Sequence, residues 1–327
     1  MIEIKYYSKE FEKAHIDFAK KYWTKKRRLT PEYIYWKFRG SSNDTLSSFI
    51  LAFDNNKVVG QFGLIPCKVI IDKKVYDAQW ACDLMVDTDY RGKGIAEKLY
   101  NFAHDNKIIT LGSDPSPAAE KSMIKNGYIS LKGPRKFVFP FYIGEVFKIK
   151  HINNALLNKI PNPFLAFFFF FKNNDYTTIQ SDEFEKLRIH KDENQIYCQH
   201  DISFYNWRFS EFKDYYKGII CFKKNDKNYF TGYFNGGIFY LTDFKVSSLL
   251  GFFKLIGFIY KEYSSLKIKR IKFVSMYSKI NSIIPFLGFI RFSTITKIIL
   301  FSKSLDIKEY SSNKSFYYTL HDSDENI

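Results

Sequence analysis

The sequence has few cysteines and no long uninterrupted apolar segment, and each absence excludes a class of protein. Four cysteines in 327 residues stand far apart without a C-x-x-C pair, which argues against a disulfide scaffold and a zinc site. No uncharged apolar run reaches the roughly 18 residues that a membrane-spanning helix requires. The N-terminal segment MIEIKYYSKEFEK lacks the apolar region of a secretory signal. We therefore expect a cytoplasmic protein with reduced thiols and no metal centre.

The basic charge is large, but arginine is scarce and the basic residues are scattered. Lys and Arg total 50 against 34 Asp and Glu, a formal net charge of +16, and only nine of the 50 are Arg. The one basic cluster is at 25–28. A nucleic-acid-binding surface usually concentrates its basic residues. We therefore expect no DNA partner, whereas an anionic small-molecule substrate, and an RNA or membrane contact, stay open.

Two aromatic and apolar tracts stand out in a sequence that is 19% aromatic. Phe164 to Phe171 reads FLAFFFFF, and Val246 to Tyr260 reads VSSLLGFFKLIGFIY. Each tract predicts a buried helix between two domains, and peripheral membrane contact is the alternative.

The second half of the sequence repeats the first. Trp36, in Tyr-Trp-Lys-Phe, aligns with Trp207, in Asn-Trp-Arg-Phe, and Asp83 aligns with Asp243 in a later strand-like run. Five elements agree in order. Each half reads as helix, helix, hairpin, long strand, helix, strand, helix and strand, which predicts an α/β protein with a mixed sheet flanked by helices in two tandem domains. We expect both Trp side chains to be core anchors.

The domain boundaries follow from this repeat. We expect a first domain at 1–145, a linker with the Phe-rich tract at 146–178, a second domain at 179–305 and a polar, fraying tail at 306–327.

A glycine-containing loop between a strand and a helix carries the most specific signal. An apolar strand through Val86 leads into Arg91-Gly92-Lys93-Gly94, and an amphipathic helix follows. Glycines let a ligand approach the backbone closely, and a helix N-terminus offers unpaired N–H groups. The pattern predicts a phosphate cradle, although it is neither a Walker loop nor a dinucleotide fingerprint.

Arg91, Gly94 and Ala96 resemble the [RQ]-x-x-G-x-[GA] motif of the GCN5-related N-acetyltransferase (GNAT) superfamily, and SPAAEKSMIKNGY at 116–128 is similar to its fourth-helix pattern. The resemblance implies that the loop amides hold the coenzyme A pyrophosphate and that the preceding strand pairs with the pantetheine arm. The acyl-CoA-binding residues that it implies are Leu84, Met85, Val86, Arg91, Gly92, Lys93, Gly94, Ile95, Ala96 and Ser116.

Two departures from the family pattern concern the chemistry. Ser116 replaces the usual Asn, and Met123 stands where many members have the Tyr that protonates the leaving thiolate. Tyr128 is then our candidate for that acid. Asp83 is our candidate for the base, although Asp243 at the matching position of the second repeat favours a structural role for both.

Other groups complete the predicted site. A backbone N–H of Met85 or Val86 is the expected oxyanion donor, and Asp114 and Glu120 are weaker candidates for the base. The second repeat has a bulky apolar helix at 251–256 in place of the loop, so we expect it to have lost cofactor binding.

The resemblance implies an acetyl-CoA-dependent N-acetyltransferase that acts on a small primary amine by direct attack in a ternary complex, without a metal. An amino sugar of bacterial surface-polysaccharide synthesis is one such acceptor. Two alternatives are a tRNA-dependent aminoacyl or peptidyl transferase and a non-catalytic acyl-CoA-binding protein. The sequence leaves the oligomeric state open.

Overall fold

A computed structural model gives the fold. It describes residues 1–23, 30–40, 48–104, 108–149, 156–171, 176–179, 183, 195–209, 211, 220–225, 227–307, 309–310 and 314–322. The basic cluster at 25–28 therefore lies outside the described residues.

Helices and strands alternate along both halves. The helices are α1 (Glu12–Ala19), α2 (Pro31–Arg39), α3 (Ile95–His104), α4 (Pro117–Lys125), α5 (Ile143–Ile149), α6 (Leu165–Phe169), α7 (Ile202–Phe209), α8 (Leu249–Tyr263) and α9 (Ser278–Ile283). The strands are β1 (Ile2–Tyr6), β2 (Phe49–Asp54), β3 (Lys57–Ile71), β4 (Lys74–Val86), β5 (Ile109–Ser113), β6 (Ile129–Pro140), β7 (Thr177–Ile179), β8 (Gln195–Cys198), β9 (Ile220–Asn225), β10 (Asn228–Asn235), β11 (Ile238–Lys245), β12 (Arg270–Ser275), β13 (Ile290–Phe301) and β14 (Ser315–Tyr317).

The described strands form one continuous sheet in which the two halves exchange their last strands. Its main path runs β1-β2-β3-β4-β5-β13-β6-β12-β11-β10-β9-β7. Strand β13, from the second half, lies antiparallel between β5 and β6, and β6, from the first half, lies antiparallel between β13 and β12. Each half therefore completes the sheet of the other.

Helices cover both faces of the sheet. Successive side chains along a strand point to opposite faces, and both sets are buried. In β2, Phe49, Leu51 and Phe53 join a cluster that also contains side chains of α1, α2 and α7. Ile50 and Ala52 join a second cluster with α3. This alternation is expected of a strand with period two. In the second half, α6 and α8 cover the sheet within a third, Phe-rich cluster.

The structure confirms the mixed sheet and, from the hairpin onward, the predicted order of elements in both halves. The first helix expected in the second half lies outside the described residues. In each half an antiparallel hairpin (β2–β3, β9–β10) leads to a third antiparallel strand (β4, β11), which then pairs in parallel with the next strand (β5, β12). The edge strands β1 and β7 also correspond, although the sequence pattern did not predict them.

Trp36 and Trp207 join the two halves by reciprocal hydrogen bonds. Trp36 Nε1 donates to the Trp207 carbonyl at 2.8 Å, and Trp207 Nε1 donates to the Trp36 carbonyl at 2.7 Å. Both side chains are buried, so the prediction that they are core anchors is confirmed. Two buried hydrogen bonds and an aromatic contact contribute more here than an exposed ion pair, which contributes about 0–1 kcal/mol.

The Phe-rich tract is only partly buried. Phe168 is fully buried, and α6 approaches α8 so closely that a Cβ on Gly257 would lie 2.8 Å from the Phe168 carbonyl oxygen. Phe169 and Phe170 are exposed. The prediction of a buried helix therefore holds for one face of α6. The second tract forms α8, whose apolar side is buried.

The prediction that the chain frays after residue 306 is wrong for residues 314–322. Strand β14 pairs in parallel with β8 and contacts β6. Phe316, Tyr318 and Leu320 are buried in the cluster beneath α2 and α7. The tail is polar overall, so the sequence pattern did not reveal that these three apolar residues alternate as in a strand. Their burial anchors the segment.

The strand exchange yields a prediction about fragments. A fragment 1–145 leaves β5 and β6 without β13 between them, so their N–H and C=O groups lose their partners. We expect this fragment alone to show no cooperative urea unfolding, and co-expression with fragment 146–327 to restore a folded complex. Cooperative unfolding of the isolated fragment would contradict the exchange.

Candidate functional site

An open edge lies where β4 and β5 diverge. The two parallel strands pair from Ala78 to Trp80 on β4 and from Ile109 to Leu111 on β5. Along its other edge β5 pairs with β13, from Thr110 to Ser113, and residues 81–86 of β4 have no strand on the β5 side among the described residues. An extended ligand can therefore pair with the backbone of β4 as an added strand would.

A bulge in β4 lies at this open edge. Gln61 pairs with Met85 and Gly63 with Cys82, so β4 contains one extra residue there. Asp83, in the bulge, has φ of 48°, a left-handed conformation uncommon for residues other than glycine. The surroundings must hold it there. Bulges commonly re-aim side chains and backbone groups beside active sites.

Two buried polar side chains fix the bulge from one side. His15 Nε2 lies 3.1 Å from Gln61 Oε1, and Gln61 Nε2 donates to the Asp83 carbonyl at 3.1 Å. Because the amide oxygen can only accept, His15 Nε2 carries the proton. Burial lowers the pKa of His15 to about 4, so this imidazole is neutral at physiological pH.

The Asp83 carboxylate is paired with a buried lysine. Lys37 Nζ, on α2, lies 2.6 Å from Asp83 Oδ2, and the Lys37 side chain is 1% exposed against 17% for Asp83. Removing one partner of such a pair leaves a buried charge, which is strongly destabilising. The pair therefore ties α2, and with it Trp36, to the bulge. Sequence reasoning missed Lys37.

The loop after β4 has the conformation that its glycines were predicted to supply. Gly92 and Gly94 have φ of 78° and 74°, and a Cβ built on either meets no atom within 4 Å. In the described residues, the backbone N–H groups from Gly92 to Ala96 have no protein acceptor. Five adjacent donors without a protein acceptor at a helix N-terminus form an anion-binding cradle.

Basic side chains surround this cradle. Lys57 and Lys93 place their ammonium groups 5.1 and 4.7 Å from the centre of the Tyr90 ring, whose hydroxyl donates to Asp54 at 2.9 Å. Arg91 is exposed beside them. These charges favour a ligand with phosphate groups.

Asp87 anchors the start of the loop. Its carboxylate accepts from Lys21 Nζ at 2.8 Å and from the backbone N–H of Asp89 at 3.2 Å, and its own N–H donates to the Val59 carbonyl. The hydrogen bond from Lys21 is the main cause that holds the pKa of Asp87 below its usual value. The loop is therefore fixed before a ligand binds.

Ser116 and Tyr128 each have a hydrogen-bond partner within the protein. Ser116 is the N-cap of α4 and accepts from the Ala119 N–H at 3.3 Å. Tyr128 is buried in the cluster under α3, its hydroxyl lies 3.0 Å from His104 Nε2, and burial raises its pKa well above the ordinary value. This placement gives no support to Tyr128 as the thiolate's acid. Met123 is buried in the same cluster.

Asp114 and Glu120 are engaged in contacts with residues of the exchanged strands. Asp114 accepts from the Lys297 backbone N–H at 2.8 Å and pairs with Lys136 Nζ at 2.6 Å. Glu120 accepts from Lys297 Nζ at 2.7 and 2.8 Å. These contacts close the end of β5 with side chains from β6 and β13, so neither acid is an unpaired base candidate.

The expectation of no metal site was based on the spacing of the cysteines. The fold, however, brings together three possible metal ligands from two distant parts of the sequence. Cys198, His200 and Asp322 place their donor atoms within 4.8 Å of one another in a buried group. His200 Nε2 and Asp322 Oδ1 are 2.8 Å apart, and the Thr319 N–H donates to the other carboxylate oxygen. These bonds hold the C-terminal segment against the residues that follow β8.

No helix among the described residues is long and apolar enough to cross a membrane.

A protein-family comparison gives a match within the first half. Residues 3–106 match the family described as Acetyltransferase (GNAT) domain. This match contains the bulge, the glycine loop and α3. No curated protein matches the sequence.

Solved structures share the fold at low identity. A GCN5-related N-acetyltransferase from Anabaena variabilis superposes with a TM-score of 0.57 at 12% identity, over 92% of this chain and 72% of that one. A probable N-acyltransferase from Enterococcus faecalis gives 0.59 at 11%, over 92% and 73%. Saccharomyces cerevisiae N-myristoyltransferase with bound myristoyl-CoA gives 0.58 at 11%, over 92% and 82%.

Proposed function

We propose that this chain, whose residues 3–106 match the GNAT domain family, transfers an acyl group from acetyl-CoA to a primary amine. The observation that carries the proposal is the row of unpaired N–H groups from Gly92 to Ala96, next to the open edge of β4. The row suits the pyrophosphate, and the edge suits an extended arm that ends in the thioester. Both fit one ligand, acyl-CoA.

The residues of the bulge fit the reacting end of that ligand. In the transfer, the amine nitrogen forms a bond to the thioester carbonyl carbon, the C–S bond breaks and the thiolate leaves. The amine gives up protons and the thiolate gains one. A backbone N–H of Met85 or Val86 would donate to the developing oxyanion. The fixed bulge places these N–H groups before the substrate arrives, which lowers the cost of organising them.

Asp83 has two candidate roles. On sequence grounds it is the base that takes the proton of the amine. Its contact with Lys37 and its left-handed backbone support a positioning role instead, in which the ion pair holds the shape of the bulge. In that case the proton leaves through water.

The acceptor is a small amine, and an amino sugar of surface-polysaccharide synthesis is the acceptor that we propose. The formal net charge of +16 favours an acceptor with negative charge, such as a nucleotide-linked sugar. We also propose that the second half is a GNAT-like domain without cofactor binding, because α8 follows β11 after only residues 246–248, whereas the loop between β4 and α3 spans 87–94.

One observation favours a non-catalytic alternative. Met123 stands where many GNAT members place their acid, and the Tyr128 hydroxyl is buried and lies 3.0 Å from His104 Nε2. A chain that binds acyl-CoA without transfer would have this arrangement. Binding of acetyl-CoA without thiol release across a panel of amines would support it.

Substitution at Gly94 tests the cradle. Wild-type protein should bind acetyl-CoA in the micromolar range by calorimetry, and Gly94→Asp should abolish binding, because it places a carboxylate where the phosphates lie. The matched control is Gly236→Asp, at a glycine with φ of 58° that also has open space around its Cβ. The control should bind as wild type does. Equal loss in both variants, or none in Gly94→Asp, would refute the assignment.

Substitution at Asp83 separates its two roles. For a positioning role, Asp83→Asn should lower the free energy of unfolding by about 3 kcal/mol, because the buried ammonium of Lys37 loses its ion pair with Asp83. The double variant Lys37→Gln/Asp83→Asn should recover most of that loss, and the pH profile of kcat/KM should keep its shape. If kcat/KM instead falls about 100-fold or more in both variants, and its decrease at low pH disappears, Asp83 is the base.

A further inference from the structure

A cavity of about 500 Å³ lies in the second half, at the place that corresponds to the open edge of β4 in the first. It is formed where the parallel strands β11 and β12 end, at the start of α8. We call it the second cleft. Lysine, serine and tyrosine side chains line it, together with a few apolar ones. Its volume is typical of a site for a small molecule.

The charge of the second cleft is positive. Lys245 and Lys279 line it, and no Asp or Glu is among the lining residues. Neither lysine has an ion pair within the described part of the chain. By sheet position, Lys245 stands near the end of β11 as Met85 stands near the end of β4. Two unpaired ammonium groups at one cavity favour an anion.

Serine and tyrosine side chains form much of the remaining lining of the second cleft. Ser248 caps α8 by accepting from the Gly251 N–H at 3.1 Å, and Ser247 lies beside it at the mouth. The Tyr317 hydroxyl donates to Asp243 Oδ1 at 2.7 Å, so this buried acid is already engaged. Tyr229 and Tyr277 present aromatic surface, and Leu249 and Ile280 present apolar surface.

The second cleft cannot hold acyl-CoA as the first half would. Only three residues connect β11 to α8, so the run of glycine-loop amides that would receive a pyrophosphate is missing. A smaller ligand, with one anionic group near the lysines and a ring or apolar body against the tyrosines, fits the wall.

We propose that the second cleft binds a small organic anion through Lys245 and Lys279. The anionic group is a phosphate or a carboxylate, and its body packs against Tyr229 and Tyr277. This site goes beyond the proposed acyl transfer, because it lies outside the acyl-CoA cradle and would bind its ligand without acetyl-CoA.

Calorimetry with four probes tests the site: phenyl phosphate, benzoate, inorganic phosphate and acetate, all at constant ionic strength. Wild-type protein should bind phenyl phosphate or benzoate with a dissociation constant in the millimolar range or tighter, and more tightly than the corresponding probe without a ring. Phenyl phosphate against benzoate distinguishes the two anionic groups. Lys245→Gln/Lys279→Gln should weaken binding by about tenfold or more, since charge-assisted contacts are lost.

The control variant is Lys74→Gln/Lys261→Gln, which removes two exposed lysines outside the cavity and should bind within about twofold of wild type. Unfolding midpoints of both double variants verify that they fold. If Lys245→Gln/Lys279→Gln does not fold, the two single variants replace it. Absence of saturable binding to wild type, or binding that the cleft variant retains, would overturn the proposal. Loss of acetyl-CoA binding in Gly94→Asp leaves it unaffected, so the two sites are tested separately.

Discussion

The exchange of β6 and β13 is the constraint on which the rest of the structure depends. A strand with an unpaired edge exposes N–H and C=O groups, and burying such an edge without partners is costly. Here each half covers the edge of the other, so neither half has a complete sheet without its partner. The helices are joined in the same reciprocal way, because Trp36 and Trp207 each donate a hydrogen bond to the backbone of the other half.

One consequence is that the candidate active site belongs to both halves. The cradle and the bulge come from the first half, but β5 ends against Lys297 of β13. The ion pair between Lys37 and Asp83 ties the bulge to α2, the helix that carries Trp36. A substitution at the contact between the halves should therefore alter the conformation of the bulge.

The two halves have corresponding strand arrangements and differ where the ligand would bind. Both contain a one-residue bulge beside the point where parallel strands part, at Asp83 in the first half and near Asp243 in the second. Each acid is engaged there, by Lys37 or by Tyr317. A long glycine loop follows the first bulge, and a three-residue connection with two lysines nearby follows the second. The same arrangement of strands thus forms two clefts that are lined by different functional groups.

The sequence patterns predicted most of the elements and the glycine loop, but they missed the strands β1, β7, β8 and β14. The glycine loop is local, and backbone geometry alone explains why Gly92 and Gly94 stand where they do. Contacts across the fold were not predictable, because nothing in the spacing relates Lys37 to Asp83 or His15 to Gln61. The exchange of strands was equally hidden, since β6 and β13 have the same pattern whichever neighbour they pair with. Tyr128 was chosen by its place in a motif, and its burial became visible only in the fold.

Amide hydrogen exchange with and without acetyl-CoA tests the central claim most directly. The account predicts that the cofactor adds protection at the amides of Gly92 to Ala96 and of Met85 or Val86, and leaves residues 246–251 unchanged. Unchanged exchange in the glycine loop, or protection confined to the second half, would contradict it.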